Sequence, residues 1–229
     1  VEPLGLAGDR RWMAVDANGR FISAREHGRM WQIRATLDGD VLQLACDGMS
    51  ALRVDSSALS ERIDVTLWND RLSVLTGAPH ADDWMSNFLG QPVRVVRLDQ
   101  HTHRAADPEY SQPGDEVSFA DGYPLLLISQ ASLDGLNARL DQPAEMLRFR
   151  PNLIVTADRA HAEDDWQRIR IGDVEFDLVK QCARCVLTTV DPNTGERDTS
   201  GEPLRTLIQY RRSSSGVTFG QNLIPRGTG

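Results

Sequence analysis

Cysteine is scarce in this sequence: Cys46, Cys182 and Cys185 are the only three in 229 residues. An odd number, with two of them three positions apart, argues against a disulfide framework and for a reducing compartment, hence the cytoplasm. Long apolar runs are also lacking. Nothing approaches the roughly 18 consecutive apolar residues of a membrane helix, so no membrane association is expected. No basic segment followed by an apolar one stands at the start, which leaves no signal peptide to read. The first residue is Val1 rather than Met, so a natural start with a targeting segment could precede it. Positive charge is in deficit, with a net charge of −8. That opposes a binder of nucleic-acid polymers, which needs a basic footprint. It leaves room for a small anionic ligand, because a pocket can gather a few arginines inside an acidic protein.

What is present reads as a mainly β protein with a few short helices, an α+β chain of barrel-like character. Arg11 to Val15 leads to the hairpin signal Asn18-Gly19 and returns through Arg20 to Ser23. Gln32 to Leu37 turns at Asp38-Gly39 into Val41 to Cys46, and Ile63 to Trp68 turns at Asn69-Asp70 into Leu72 to Leu75. Cys46 shares a face with Leu42 and Leu44 and reads as a buried core thiol. A helix is predicted from Ala81 to Leu89, with Gly90 as its C-terminal cap. Val93 to Leu98 returns as a strand.

The polar stretch from His101 to Ser118 is the longest irregular segment and a candidate boundary or active-site loop. Its His101 and His103 lack a partner pattern for a metal and read as surface residues. The predicted domains are therefore 1–100 and 101–229. In the second, Tyr123 to Ile128 is a strand and Ser129 to Leu140 a capped helix. Met146 to Thr156 is a strand broken at Pro151, and Trp166 to Ile171 pairs with Val174 to Val179. Val186 to Val190 is read as a strand, Pro203 to Tyr210 as a helix and Phe219 to Ile224 as the last strand.

The run Cys182-Ala183-Arg184-Cys185 has four explanations. A thioredoxin-like redox pair wants a βαβ setting, and here strands are expected on both sides. A structural zinc wants four ligands, and no second pair is present. Two buried thiols are the plain structural alternative. Against it stand Lys180 and Arg184, because positive neighbours favour thiolate. The fourth is that one thiolate ligates a soft metal. Residue types alone do not choose among these.

The blocks Phe149-Arg150-Pro151-Asn152-Leu153-Ile154-Val155, Ile171 to Phe176 and Cys182 to Pro192 resemble those of MOSC-domain proteins. So do Ser118 to Pro124 and Phe219-Gly220-Gln221-Asn222. Gly8 to Trp12 and Ser23-Ala24-Arg25 look like the MOSC N-terminal β-barrel region. The succession covers nearly the whole chain in order. It resembles the bacterial members that reduce N-hydroxylated bases and the mitochondrial amidoxime-reducing component.

The resemblance implies a MOSC N-terminal β-barrel-like region followed by a MOSC β-barrel domain, trimmed at both ends. It implies a molybdenum–molybdopterin cofactor with Cys185 as metal ligand and catalytic centre, Cys182 being a neighbour. Carried over by position, the cofactor-binding residues are Arg10, Arg25, Asp121, Gly122, Tyr123, Arg150, Asn152, Ala183 and Arg184. Mitochondrial relatives carry Ser in place of Tyr123, and relatives often have Ser in place of Ala183. Arginines suit the roughly two negative charges of a pterin phosphate, and Asn and Asp can read a pterin edge. Without the resemblance each has a bland alternative as a surface charge or turn residue.

The implied activity is two-electron reduction of small N-hydroxylated compounds (bases, hydroxylamines, amidoximes), a detoxification chemistry. Three cysteines cannot hold a Cys₄ cluster, so a separate ferredoxin- or flavoprotein-type electron donor is implied. The competing readings are a cofactor carrier or sulfur-relay module without turnover, and a cofactor-free β-rich binding module.

Overall fold

A computed structural model describes residues 1–214 and 216–229. The protein is mainly β with three helices and a curled half-barrel sheet. It divides into two compact units, a smaller one of Gly8–Arg104 with Asn193–Gly195 and a larger one of Val1–Ala7, Ala105–Pro192 and Glu196–Gly229.

The smaller unit holds β1 (Trp12–Asp16), β2 (Arg34–Asp38), β3 (Val41–Ala45), β4 (Leu52–Asp55), β5 (Glu61–Leu67), β6 (Asp70–Thr76), α1 (Pro79–Leu89) and β7 (Val93–Arg97). One sheet runs β1-β7-β6-β5 and another β2-β3-β4. The alternation of Val65, Leu67, Leu72 and Val74 puts one face of the first sheet inside. α1 ends as its sequence dictates: Gly90 adopts the left-handed conformation (φ 70°) that a C-terminal cap needs. Its Trp84 and Phe88 stack at 5.9 Å in the core beside Cys46, which is buried as expected.

The chain turns at Asn18-Gly19 as expected, but the return is short: the Asp16 amide donates to Arg20 (2.8 Å), the Ile22 amide to Ala14 (2.9 Å), and Val15 bridges Phe21. β1 pairs along its length with β7. The β5–β6 turn is Trp68-Asn69, one residue earlier than the Asn-Asp signal suggests, since Leu67 pairs with Asp70. β4 was not foreseen.

The larger unit contains β8 (Leu125–Ser129), α2 (Gln130–Asn137), β9 (Leu153–Val155), β10 (Arg168–Ile171), β11 (Val174–Ala183), α3 (Leu204–Tyr210), β12 (Arg212–Ser213) and β13 (Gly216–Pro225). The sheet order is β10-β11-β13-β8-β9, with β12 on β13 and β9 parallel to β8. β8 is buried along its whole length. Leu125 and Leu127 face one cluster with Val174, Phe176 and Leu223, while Leu126 and Ile128 face another with Leu136, Phe149, Leu207 and Phe219. A strand buried on both faces reads as an unbroken apolar run, as Leu-Leu-Leu-Ile does. Gly220 permits the tight β13–β8 approach: at φ 83° a Cβ there would sit 2.7 Å from the Leu127 carbonyl oxygen.

Two predicted strands are short 3-10 turns instead. Met146–Phe149 is one, and β9 starts only after Pro151. Val186–Thr189 is the other. There the Thr188 hydroxyl donates to the Cys185 carbonyl (3.0 Å) and the Thr189 hydroxyl to that of Val186 (2.7 Å). These local bonds compete with strand pairing and defeat the β-branched composition. α2 ends at Asn137, three residues short of its predicted end, and β12 was not foreseen. His101 and His103 are exposed as expected.

Candidate active site

The motif sits where β11 ends. β11 carries two irregularities against β13, between Leu178 and Lys180 and between Gln181 and Ala183. Such bulges re-aim side chains and are frequent beside active sites. Cys182 is still on the strand, Ala183 is its exposed last residue, and Cys185 caps the 3-10 turn Val186–Thr189. The pair is therefore strand on one side and tight turn on the other, which corrects the expectation of strands on both sides. Cys185 is half-buried, and its carbonyl also accepts from the Thr188 amide at 3.2 Å. Backbone bonds fix its position while no side-chain hydrogen bond engages its Sγ among the described residues.

Arg184 turns inward. Its Nη1 donates to the Cys182 Sγ at 3.0 Å and its Nη2 to the Phe149 carbonyl at 2.8 Å, with the guanidinium carbon 5.3 Å from the Phe149 ring. Its amide donates to Val217 at 2.7 Å. Its Nε is buried with no acceptor. Lys180 does not join it: its ammonium lies 3.5 Å from Asp107 and 4.0 Å from the Tyr110 ring centre. Of the two positive neighbours in the sequence, only Arg184 contacts a cysteine.

Phe149 ends the turn Met146–Phe149, which packs against the turn Val186–Thr189. Arg150 follows in the left-handed conformation, φ 54°. A non-glycine residue there costs about 1 kcal/mol or more. Retaining arginine where glycine would be easier points to work done by its side chain. Asn152 closes a two-way clamp on β8, its amide donating to Leu126 at 2.8 Å and its Oδ1 accepting from the Leu126 amide at 3.0 Å. The Oδ1 is thus structural. Asp121 is exposed, Gly122 half-buried and Tyr123 8% exposed, all just before β8. A Cβ on Gly122 would meet nothing within 4 Å, so packing does not demand glycine there. The Tyr123 hydroxyl is buried, with the Asp107 carboxylate as its neighbour. Burial first, then the negative charge of Asp107, push its pKa far above the ordinary phenol range, so it stays a donor.

Arg10 and Arg25 belong to the smaller unit. Arg10 pairs with Asp9 and is also left-handed, φ 51°. Arg25 lies 4.3 Å over the Trp68 ring. The larger unit brings Arg184 and Cys182 against Phe149, directly before Arg150 in the chain.

One residue absent from the sequence reading belongs to the same junction. Arg148 donates through Nη2 to Asp191 at 2.9 Å, while its Nη1 is buried with no acceptor. A Phe-Arg-Pro-Asn block draws the eye to Arg150. The Arg two positions earlier carries no signal until its burial is seen.

The arrangement suits an anionic, acceptor-rich cofactor. Arg148 Nη1 and Arg184 Nε are buried donors without acceptors, and such groups are rare unless something takes them. Among the described residues no three His, Cys, Asp or Glu side chains converge. A zinc site of four protein ligands is therefore not formed, and a metal on Cys185 would take its other ligands from a cofactor.

Comparison with known proteins decides the family. A MOSC domain matches residues 114–226, and a MOSC N-terminal beta barrel domain matches residues 1–92. The chain belongs to the MOSC family. This MOSC chain is 35% identical over 217 residues to the Homo sapiens protein named mitochondrial amidoxime-reducing component 1, covering 89% of the chain and 62% of that protein. It is 32% identical over 231 residues to the Danio rerio protein of that name, covering 96% of the chain and 71% of the relative. It is 29% identical over 238 residues to a molybdenum cofactor sulfurase of Oryza sativa subsp. japonica, covering 94% of the chain but 29% of the relative. The MOSC chain thus spans less than two thirds of the human protein. No helix of the described residues is long and apolar enough to cross a membrane.

Proposed function

We propose that this protein is a molybdenum-cofactor-dependent reductase of N-hydroxylated compounds, such as hydroxylated bases, hydroxylamines and amidoximes. The observation that carries the reading is a backbone-fixed Cys185 beside buried arginine donors, in a chain similar to amidoxime-reducing components. When bound, the cofactor supplies the two-electron redox chemistry that turns N–OH into N–H and water, with two protons consumed.

The chain's own residues hold and orient. Cys185 is the protein ligand to the metal. Arg150 and Arg184 provide positive charge for the cofactor's phosphate and acceptor groups. Tyr123 stays protonated beside Asp107 and lines the same turn as Asp121 and Gly122. Asp121, Gly122 and Ala183 line the cofactor, with Gly122 allowing close approach. Asn152 holds the Arg150 loop against β8 through its Oδ1. Electrons come from a ferredoxin- or flavoprotein-type donor outside these 229 residues, since their three cysteines cannot build a Cys₄ cluster. Three unpaired thiols fit a reducing compartment such as the cytoplasm.

Similarity to a cofactor sulfurase supports a second reading, a molybdenum-cofactor carrier or sulfur-relay module without turnover. Metal and pterin analysis of the full-length protein, then assay with an aryl amidoxime and a chemically reduced viologen, separates the two. Loaded protein that reduces the amidoxime supports the reductase. Loaded protein that never turns over supports the carrier, and protein without molybdenum from a cofactor-producing host sinks both.

A further inference from the structure

The junction between the turns Met146–Phe149 and Val186–Thr189 contains a guanidinium that the resemblance does not assign. Arg148 is largely buried, its side chain 14% exposed. Asp191, just beyond the second turn, takes its Nη2 at 2.9 Å and so fixes the plane of the fork. The geometry leaves Nη1 buried and without an acceptor. A buried charged donor left unmet is costly, and folded proteins avoid it unless a ligand or water completes the bond. A second buried donor without an acceptor, Arg184 Nε, belongs to a side chain bonded to the carbonyl of Phe149, the residue after Arg148. Charged donors at one junction are met best by a negatively charged acceptor oxygen.

We propose that Arg148 is a further cofactor-binding residue, donating through Nη1 to an acceptor oxygen of the cofactor, with Asp191 as its positioning residue. This rests on the cofactor reading above. A guanidinium held on one edge by a carboxylate and open on the other presents a single aimed donor. A strut joining the two turns would have needed only the Asp191 bond.

The test is Arg148→Gln and Arg148→Lys in the full-length protein from a cofactor-producing host, with molybdenum and pterin content measured per chain. Thermal melting of the cofactor-free forms accompanies it. Losing one charged hydrogen bond predicts cofactor retention lower by about tenfold or more in both variants. Arg148→Lys keeps the charge and can satisfy Asp191, so its cofactor-free melting point stays near the parent's. Should Arg148→Gln fail to fold, Arg148→Lys carries the test alone. Inorganic phosphate, titrated into the cofactor-free proteins, tells the source of the oxygen. Weaker binding by the variants places it on the phosphate, and equal binding with reduced cofactor content places it on the pterin. Cofactor content equal to the parent's in Arg148→Lys overturns the proposal and leaves the cofactor reading standing. A parent protein that loads no cofactor overturns both.

Discussion

Arg184 Nη1 lies 3.0 Å from Cys182 Sγ, so the first cysteine of the motif serves the arginine while the second carries no side-chain partner among the described residues. The two thiols therefore have different consequences when removed. Cys182→Ala leaves a half-buried guanidinium N–H unmet and should cost about 1 kcal/mol in urea unfolding, with molybdenum content largely kept. Cys182→Ser keeps an acceptor, on a shorter bond, and should fall between. Cys185→Ser should leave cofactor-free stability within about 0.5 kcal/mol and abolish molybdenum binding. Equal metal loss in Cys182→Ser and Cys185→Ser would contradict the division of roles.

The backbone at Arg150 allows a second separation of fold from function. At φ 54° the position suits glycine. Arg150→Gly should be more stable than Arg150→Ala by up to about 1 kcal/mol in the cofactor-free state, because only glycine relieves the left-handed strain. Both remove the guanidinium, and both should lower pterin content alike. Pterin content unchanged in both variants would take Arg150 out of the site.

Much of this was legible in the sequence, and the failures have definite causes. Hairpins with strong turns and helices with clear caps were readable because their signals are local: Asp38-Gly39, the Gly90 cap and the Ser129 cap all sit where expected. The segments Met146–Phe149 and Val186–Thr189 misled because their apolar and β-branched residues score as strand. What sets them is hydroxyl-to-carbonyl bonding from Thr188 and Thr189, and a left-handed Arg150 forced before Pro151. The bulges of β11 are invisible to periodicity, yet they precede the motif directly. Arg148 could not be distinguished from any surface arginine, since its meaning lies in burial and an empty donor.

The buried carboxylate of Glu163 gives a pH-dependent test. It is 1% exposed. Its Oε1 accepts from the Ser132 hydroxyl (2.7 Å) and the Ser129 amide (3.1 Å), and its Oε2 from the Ser129 hydroxyl (2.8 Å). Burial pushes its pKa up, but the hydrogen bonds from Ser132 and Ser129 outweigh that and hold it below the ordinary 4.5. A depressed carboxyl adds stability above its unfolded pKa and loses it as pH falls through the folded one. Glu163→Gln should therefore cost roughly 2–4 kcal/mol at pH 7, since an amide would aim donors at donors. The gap from the parent protein should shrink below pH 4.5. A gap of the same size at pH 7 and pH 3.5, by urea unfolding, would show that charge is not what the serines hold.

Gly122 tests the cofactor site with the least disturbance to the fold. Its φ is not in the left-handed range and a Cβ would meet nothing within 4 Å, so neither conformation nor packing asks for glycine. Alanine there narrows the unfolded ensemble and should stabilise the cofactor-free protein by about 0.4–1 kcal/mol. If the turn before β8 lies against the cofactor, the same methyl occupies the space of a ligand atom. Gly122→Ala should then lower pterin content while raising the melting temperature, and Gly122→Val should lower it further. A change that stabilises the chain and expels its cofactor cannot act through unfolding. Full cofactor content in both variants would remove this turn from the site and leave the junction at Phe149 to hold the cofactor without it.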